Sequence, residues 1–300
     1  MQQLGSAVDE GLAQDALALL HQLWELPQQR PHLPLPFPNP VSLLRHEVPR
    51  LRDQPYHVSA KLDGTRYMLL LGNRADTGEP YAVLIGRNRE VRRLALQSTD
   101  PSVWYGTLLD CELLASQAPQ LVVFDAVAQC GTSCRSLPYS ARMAQVRPLL
   151  PLLSPLNICC KPLWPLHQIA RVTSEWPQDG LIFMPEDAPV QTGMHRTMYK
   201  WKPVHTIDFA LGVDGTLRYA TADGDRDIST LHLRLQETPA LQRMRPPCIV
   251  ECRCQPDGQV EVLHMRPDKT VANFERTVIL TLRNIREQLQ LDELVQCHGS

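Results

Sequence analysis

The chain has 300 residues, a formal net charge of −2 and 43% hydrophobic residues. That length supports one large core or two unequal ones. The near-zero charge excludes a global positive field that gathers nucleic acid, so any polyanion must be met by a local basic cluster.

The polar, acidic start "MQQLGSAVDEGLAQD" lacks the basic-then-apolar layout of a secretory signal. The most apolar stretch, "VRPLLPLLSPLNICC", is cut by three prolines and is too short to span a bilayer. A soluble intracellular protein without a membrane partner is expected. The nine cysteines are odd in number and scattered, unlike a disulfide framework. Cys130/Cys134 and Cys248/Cys252/Cys254 contain no C-x-x-C pair, so they read as buried or strand-face thiols rather than zinc ligands.

Taken in chain order, residues 8–26 space Leu12, Leu17, Leu19, Leu20, Leu23 and Leu26 as one helix, with Asp9 as its cap. "PQQRPHLPLPFPNP" follows, with six prolines, as a stiff connector. From Tyr56 to Phe183 short β-rich runs dominate: "YHVSA", "RYMLLL", "YAVLIG", "TLLDCELL" and "QLVVFDAV". "YSARMAQVRPLL" and "LHQIARVTSEW" are the helical pieces between them. Beyond Pro203, Asp214-Gly215 and Asp257-Gly258 predict hairpins in a second small β domain. The tail "NFERTVILTLRNIREQLQLDELV" has helical periodicity and is expected to return to the first domain.

Four groups carry candidate chemistry. Lys61 ends strand "HVSA", and Asp63-Gly64 is expected to turn the chain back as a hairpin into the strand carrying Arg66. A lysine becomes a nucleophile when burial or neighbouring cations disfavour its charged form. In "YKWKP", Lys200 and Lys202 share one strand face; two ammonium groups there repel, and a phosphate between them satisfies both. "LLDCELL" sets Asp110 and Glu112 on one face, and Asp179 opens the strand "DGLIF". Such carboxylates suit a magnesium or manganese ion. "HMRPDKTVAN" groups Arg266, Asp268, Lys269 and Asn273, with Asp268 placed to fix Arg266. No P-loop, G-x-G-x-x-G, H-E-x-x-H or G-x-S-x-G sequence occurs.

The order of these groups, from Lys61-x-Asp63-Gly64-x-Arg66 through "DCE", "VVFDAV", "DGLIF" and "KWKP" to "RPDKTVAN", resembles the covalent nucleotidyltransferase superfamily. That superfamily holds mRNA capping guanylyltransferases and ATP-dependent polynucleotide ligases. The likeness runs from about Pro38 to Thr277, and "FPNPVSLL", the tryptophan of "KWKP" and "RPDK" before Asn273 resemble the capping branch.

The resemblance implies an α+β fold: a mixed or antiparallel-sheet nucleotidyltransferase domain over residues 38–205, then an OB-fold β-barrel over 206–275. Residues 1–37 would be a lead helix and linker, with helix 276–297 packed back on the first domain. It implies that Lys61 attacks the α-phosphorus of GTP to form lysyl-N-GMP, which passes to a 5′-diphosphate RNA end as the GpppN cap. Asp63, Arg66, Arg87, Glu112 and Phe124 would bind the nucleotide, with Phe124 stacked on guanine. Lys200 and Lys202 would hold the α-phosphate, and Asp179 and Glu112 would serve Mg2+ or Mn2+. Arg266, Asp268 and Lys269 would reach the β- and γ-phosphates when the second domain closes. A separate RNA triphosphatase, a cap methyltransferase and RNA polymerase are the implied partners. The location would be the nucleus, or a viral transcription site. The alternatives are an ATP-dependent RNA or DNA ligase, or an inactive cap- or nucleotide-binding relative. Two departures stand out: Cys111 replaces the family's glycine, and Ala272 replaces its proline.

Overall fold

The computed structural model describes residues 5–26, 34–114 and 118–298. Helix α1 (Glu10–Leu23) starts where Asp9 Oδ1 accepts the Leu12 amide at 2.8 Å. It buries Leu12, Ala16 and Leu20, one turn apart on a single stripe. The first half of the proline-rich connector, residues 27–33, lies outside the described residues. Its second half buries Leu35 and Phe37.

The chain divides into two units: Met1–Val41 with Leu51–Lys200, and Ser42–Arg50 with Trp201–Cys297. The first unit is mixed α/β, with two large sheets and a two-stranded one among the described residues. Its strands are β1 (Asn39–Ser42), β2 (Tyr56–Leu62), β3 (Thr65–Asn73), β4 (Pro80–Ile85), β5 (Val91–Leu94), β6 (Thr107–Leu114), β7 (Gln120–Gln129), β8 (Ile158–Cys160), β9 (Gln178–Pro185) and β10 (Met194–Trp201). The larger sheet runs β5-β4-β3-β6-β7, with β8 parallel to β7. The smaller runs β2-β9-β10-β1. Alternate residues of β3 feed two cores: Met68 and Leu70 meet α1, while Leu69 and Leu71 meet Leu109 and Val123. Burial on both faces explains the unbroken apolar run "YMLLL".

The expected hairpin at Asp63-Gly64 is not one. β2 and β3 belong to different sheets, and the two residues form a corner between them. Both edges of β3 are already taken, by β4 and β6, so β2 has no place beside it. Gly64 is required at this corner, because a Cβ there would lie 2.6 Å from the Leu113 carbonyl oxygen. The segment expected to be helical around Gln168 makes only a 3₁₀ turn, Leu166–Arg171. Helix α2 (Tyr139–Val146) forms as expected.

The second unit is a six-stranded sheet. It contains β11 (Thr206–Leu211), β12 (Leu217–Thr221), β13 (Gly224–Asp227), β14 (Cys248–Cys254) and β15 (Gln259–Met265), in the open order β13-β12-β11-β14-β15 with Arg234–Leu235 at its edge. Both predicted Asp-Gly hairpins are present, with Gly215 at φ 78° and Gly258 at φ 89°. Cys252 and Cys254 are buried in this unit's core.

The tail corrects the expectation of a helix 276–297 packed on the first domain. Helix α3 (Glu275–Glu287) buries Val278, Leu282 and Ile285 in the second unit's core, beside Phe209 and Tyr219. It stops at Gln288, at φ 47°, and a separate helix α4 (Leu291–His298) follows. Ser42–Arg50 joins this unit as well: the Arg45 amide donates to Glu287 Oε2 at 2.6 Å. A pairing across 242 residues has no local signal. No described helix is long and apolar enough to cross a membrane.

Candidate active site

Lys61 is delivered by β2, and its antiparallel neighbour β9 carries a bulge between Gln178 and Gly180. Asp179 is the bulged residue, which re-aims its carboxylate out of the ladder. Lys61 Nζ donates to Asp179 Oδ1 at 2.6 Å.

The larger sheet supplies the opposing charges. Arg66 on β3 pairs in register with Glu112 on β6. Its Nε donates to Asp110 Oδ1 at 2.8 Å and its second nitrogen to Asp110 Oδ2, a bidentate pair. Glu112 Oε1 accepts the Gly64 amide at 3.1 Å. Burial raises the Glu112 pKa, opposed by Lys161 and Arg66. Beneath these, Asp125 on β7 is held by Arg142 of α2, with Nε–Oδ1 at 2.7 Å and Nη2–Oδ2 at 3.1 Å. Arg142 is only 1% exposed, and its remaining donors reach the Leu137 and Ala188 carbonyls.

Phe124 has two cations near its ring. Arg66 Cζ is 5.3 Å and Lys161 Nζ 5.2 Å from its ring centroid. Tyr139 fixes the backbone there, its hydroxyl donating to the Phe124 carbonyl at 2.8 Å.

Lys161 was not among the sequence candidates. It follows β8, whose parallel pairing brings it beside β7, and its amide donates to Val123 O at 2.7 Å. Only that long-range pairing reveals it; "ICCKP" alone reads as a surface lysine after a short apolar run. Burial lowers its pKa to about 8, opposed by the charge of Glu112 and reinforced by Lys61.

These groups face a cavity of about 250 Å³. Lys61, Arg66, Asp110, Glu112 and Lys161 are among its polar lining residues, and Phe124, Ile182, Met184 and Met198 among its apolar ones. Other candidates lie off its wall. Arg87 donates to Asn39 Oδ1 at 2.5 Å. Asp63 is exposed at the corner. Lys200 is half-buried on β10, on the strand face of Met198. Lys202 follows the last residue of β10 and belongs to the second unit, so the strand face expected to carry both lysines ends at Trp201.

The second-unit candidates form a separate cluster. Arg266 Nη1 contacts Asp208 Oδ1 and Glu251 Oε2, each at 3.1 Å. Its Nε and Nη2 reach Asp268 at 3.0 and 2.9 Å. The hydrogen bond from Arg266 holds Asp268 down at about 2. Asn273 anchors the motif to β11: its side chain accepts the Asp208 amide at 3.0 Å.

The two departures from the family pattern are accommodated. Cys111 faces away from Asp110 and Glu112, fully buried among Tyr67, Leu69 and Leu109. Burial pushes its thiol pKa well up, so it is inert packing. Ala272 is buried beside Asn273.

Residues 10–150 match the family described as mRNA capping enzyme, catalytic domain. The chain is 27% identical over 383 residues to mRNA-capping enzyme subunit alpha of Saccharomyces cerevisiae, covering 96% of this chain and 83% of that protein. The chain is similar to the mRNA-capping enzymes. The Yarrowia lipolytica subunit alpha is 25% identical over 323 residues, covering 89% of this chain and 83% of that protein. For Schizosaccharomyces pombe the values are 24% over 326 residues, 87% and 79%. Among solved structures, mycobacterial DNA ligase D complexed with ATP and MES aligns with TM-score 0.46 at 15% identity, over 79% of this chain and 96% of that one. The capping-enzyme match spans Lys61, Arg66, Asp110, Glu112 and Phe124, the residues that converge on the cavity.

Proposed function

We propose that the protein is an mRNA guanylyltransferase. The observation that carries this reading is Lys161 beside Phe124, in a cavity whose rim holds Lys61. Phe124 offers a face for a base. An ammonium donates hydrogen bonds and accepts none. Guanine presents the acceptors O6 and N7 on one edge, whereas adenine places an amino donor where guanine has O6. A base stacked on Phe124 and meeting Lys161 is therefore matched as guanine and mismatched as adenine.

In the proposed reaction Lys61 Nζ, after losing a proton, attacks the α-phosphorus of GTP. An N–P bond forms, the bond to the β-phosphate oxygen breaks, and pyrophosphate leaves. Asp179 is the acceptor already bonded to Nζ. A 5′-diphosphate RNA end then takes the GMP and frees Lys61. Arg66 and Glu112 would hold ribose and phosphate, with Arg87, Asp63, Lys200 and Lys202 completing the nucleotide contacts. Arg266, Asp268 and Lys269 would act on the leaving phosphates, which requires Arg266 to exchange carboxylates for phosphate oxygens.

A divalent ion fits the donor chemistry. Asp179 and Glu112 offer hard oxygens, and the described residues hold no group of three or more His, Cys, Asp or Glu at ligand distance. Mg2+ or Mn2+ would thus take its other ligands from phosphate and water, as Mg2+ does in nucleotide sites. Bound there, the ion offsets the charge that builds on the phosphates.

The second unit is proposed to be an OB-type domain. A nuclear site of action is proposed, with RNA triphosphatase, cap methyltransferase and RNA polymerase as partners. The test is incubation with α-labelled GTP or ATP and a divalent metal, followed by denaturation. Label on the peptide bearing Lys61 from GTP alone is the expected result. Label from ATP alone would make the protein a ligase-type adenylyltransferase, and no label would leave a binding module.

A further inference from the structure

Three consecutive residues, Phe37 to Asn39, which lead into β1, hold the two arginines assigned to the nucleotide. The Phe37 ring centroid is 5.5 Å from Arg66 Cζ and 5.7 Å from Arg87 Cζ. The Pro38 carbonyl accepts from Arg66 Nη1. Asn39 Oδ1 accepts from Arg87 Nη2. Two guanidinium groups beside one ring repel each other. The negative face of an aromatic ring attracts both, and each is further tied by one neutral oxygen.

The segment is itself fixed at both ends. The Leu35 amide donates to the Arg87 carbonyl at 2.7 Å. The Gly193 amide donates to Pro36 O at 2.8 Å, and the Asn39 amide to Gly193 O at 2.7 Å. Behind it, the fully buried Phe37 stacks on Trp24 at 5.9 Å, just past the end of α1.

The acceptors are informative. A carboxylate would position a guanidinium and cancel its charge; an amide or a carbonyl positions it and leaves the charge intact. Among the described residues, Arg87 pairs with no carboxylate, and its contacts are the Asn39 amide and the Phe37 ring. Its positive charge stays available to an anion.

We propose that Phe37, Pro38 and Asn39 form an arginine clamp that presents Arg66 and Arg87 to a nucleotide, with Trp24 after α1 as its back wall. These are positioning residues, acting through the two arginines. The identity of the nucleotide rests on the guanylyltransferase reading; the clamp itself does not.

The test uses the full chain. GTP and ATP affinities are measured by calorimetry, lysine labelling by α-labelled GTP, and Tm in parallel, for Asn39→Ala, Asn39→Asp and Phe37→Leu. Asn39 is only half-buried, so its variants keep the fold even if Phe37→Leu does not. Asn39→Ala is expected to weaken GTP binding about fivefold to tenfold, the scale of one ordinary net hydrogen bond. Its labelling rate at saturating GTP should stay within about twofold, because only binding is impaired. Asn39→Asp separates a clamp from a scaffold. It keeps the bond to Arg87 and the Tm, yet should weaken binding at least as much as alanine, since it cancels the charge. Unchanged affinity in both Asn39 variants, or restoration of affinity by aspartate, would overturn the clamp. If the wild type binds ATP and not GTP, the guanylyltransferase reading falls and the same variants judge the clamp on ATP. Binding of neither nucleotide overturns both.

Discussion

Arg66 in the first unit and Arg266 in the second are both largely buried, with side chains 21% and 24% exposed, and both meet carboxylates, yet their settings differ. Arg66 meets one carboxylate, Asp110, and its other contacts are a neutral carbonyl and two aromatic rings beside a cavity. Arg266 meets three carboxylates, Asp208, Glu251 and Asp268, which outnumber its single charge. The first cluster is built around a cavity, with one carboxylate on its arginine; the second has three carboxylates on one arginine. An anion entering the first needs no rearrangement of partners. One recruiting Arg266 must displace carboxylates that already hold its pKa above the ordinary arginine value.

The sharpest break of this contrast is Lys61→Ala. It should eliminate covalent labelling while circular dichroism stays unchanged; residual GMP on the chain would show another nucleophile. Next comes Lys161→Met, which removes the donor at the base edge. GTP affinity should fall about tenfold to a hundredfold, the discrimination of one to two good base contacts, and ATP affinity should fall less. Equal losses for both nucleotides would reduce Lys161 to bulk charge.

The third is a stability measurement. Arg142→Ala leaves Asp125 buried and unpaired, so unfolding free energy should drop by about 3–5 kcal/mol in denaturant titration. Asp125→Asn added to it should recover part of that loss.

A smaller effect is expected at Arg266→Ala, which should slow lysine guanylylation about tenfold more than GMP transfer from preformed enzyme–GMP, less than the loss of a dedicated charge-stabilising donor because Arg266 must first leave its carboxylates. Equal losses in the two half-reactions would remove the leaving-group role.

The smallest effect is a pH trend. Lys161 has a folded pKa of about 8, below the 10.5 of the unfolded chain. Its charged form is lost as pH rises through 8, so GTP affinity should weaken by several-fold between about pH 7 and 9, and Lys161→Met should flatten the trend. Folding stability moves the other way. Between the two pKa values the unfolded state holds more protons, so stability rises with pH.

What the sequence could reveal followed the range of each interaction. Helix α1, its Asp9 cap, the β runs and the Asp-Gly hairpins of the second unit rest on periodicity and turn chemistry within a few residues. They match the structure closely. Lys61, Arg66, Glu112 and Phe124 were legible from ordered motifs, and they do line one cavity. The errors share one cause. The Asp63-Gly64 corner, Lys161 and the docking of Ser42–Arg50 with α3 all depend on which strand edges and helix faces are occupied by distant chain. A D-G pair between two β runs looks identical whether the runs pair or diverge.

The corner at Asp63-Gly64 has a mechanical meaning. Lys61 and Arg66 are five positions apart in sequence, yet they ride on two ladders that share no hydrogen bonds. Their separation is therefore set like the gape of a calliper, by the angle between two stiff arms at a two-residue pivot. Gly64, wedged against the Leu113 carbonyl, limits how far that pivot can open. A side chain introduced there would press on the Leu113 carbonyl and on Glu112, forcing the corner to give and resetting the aperture between nucleophile and arginine.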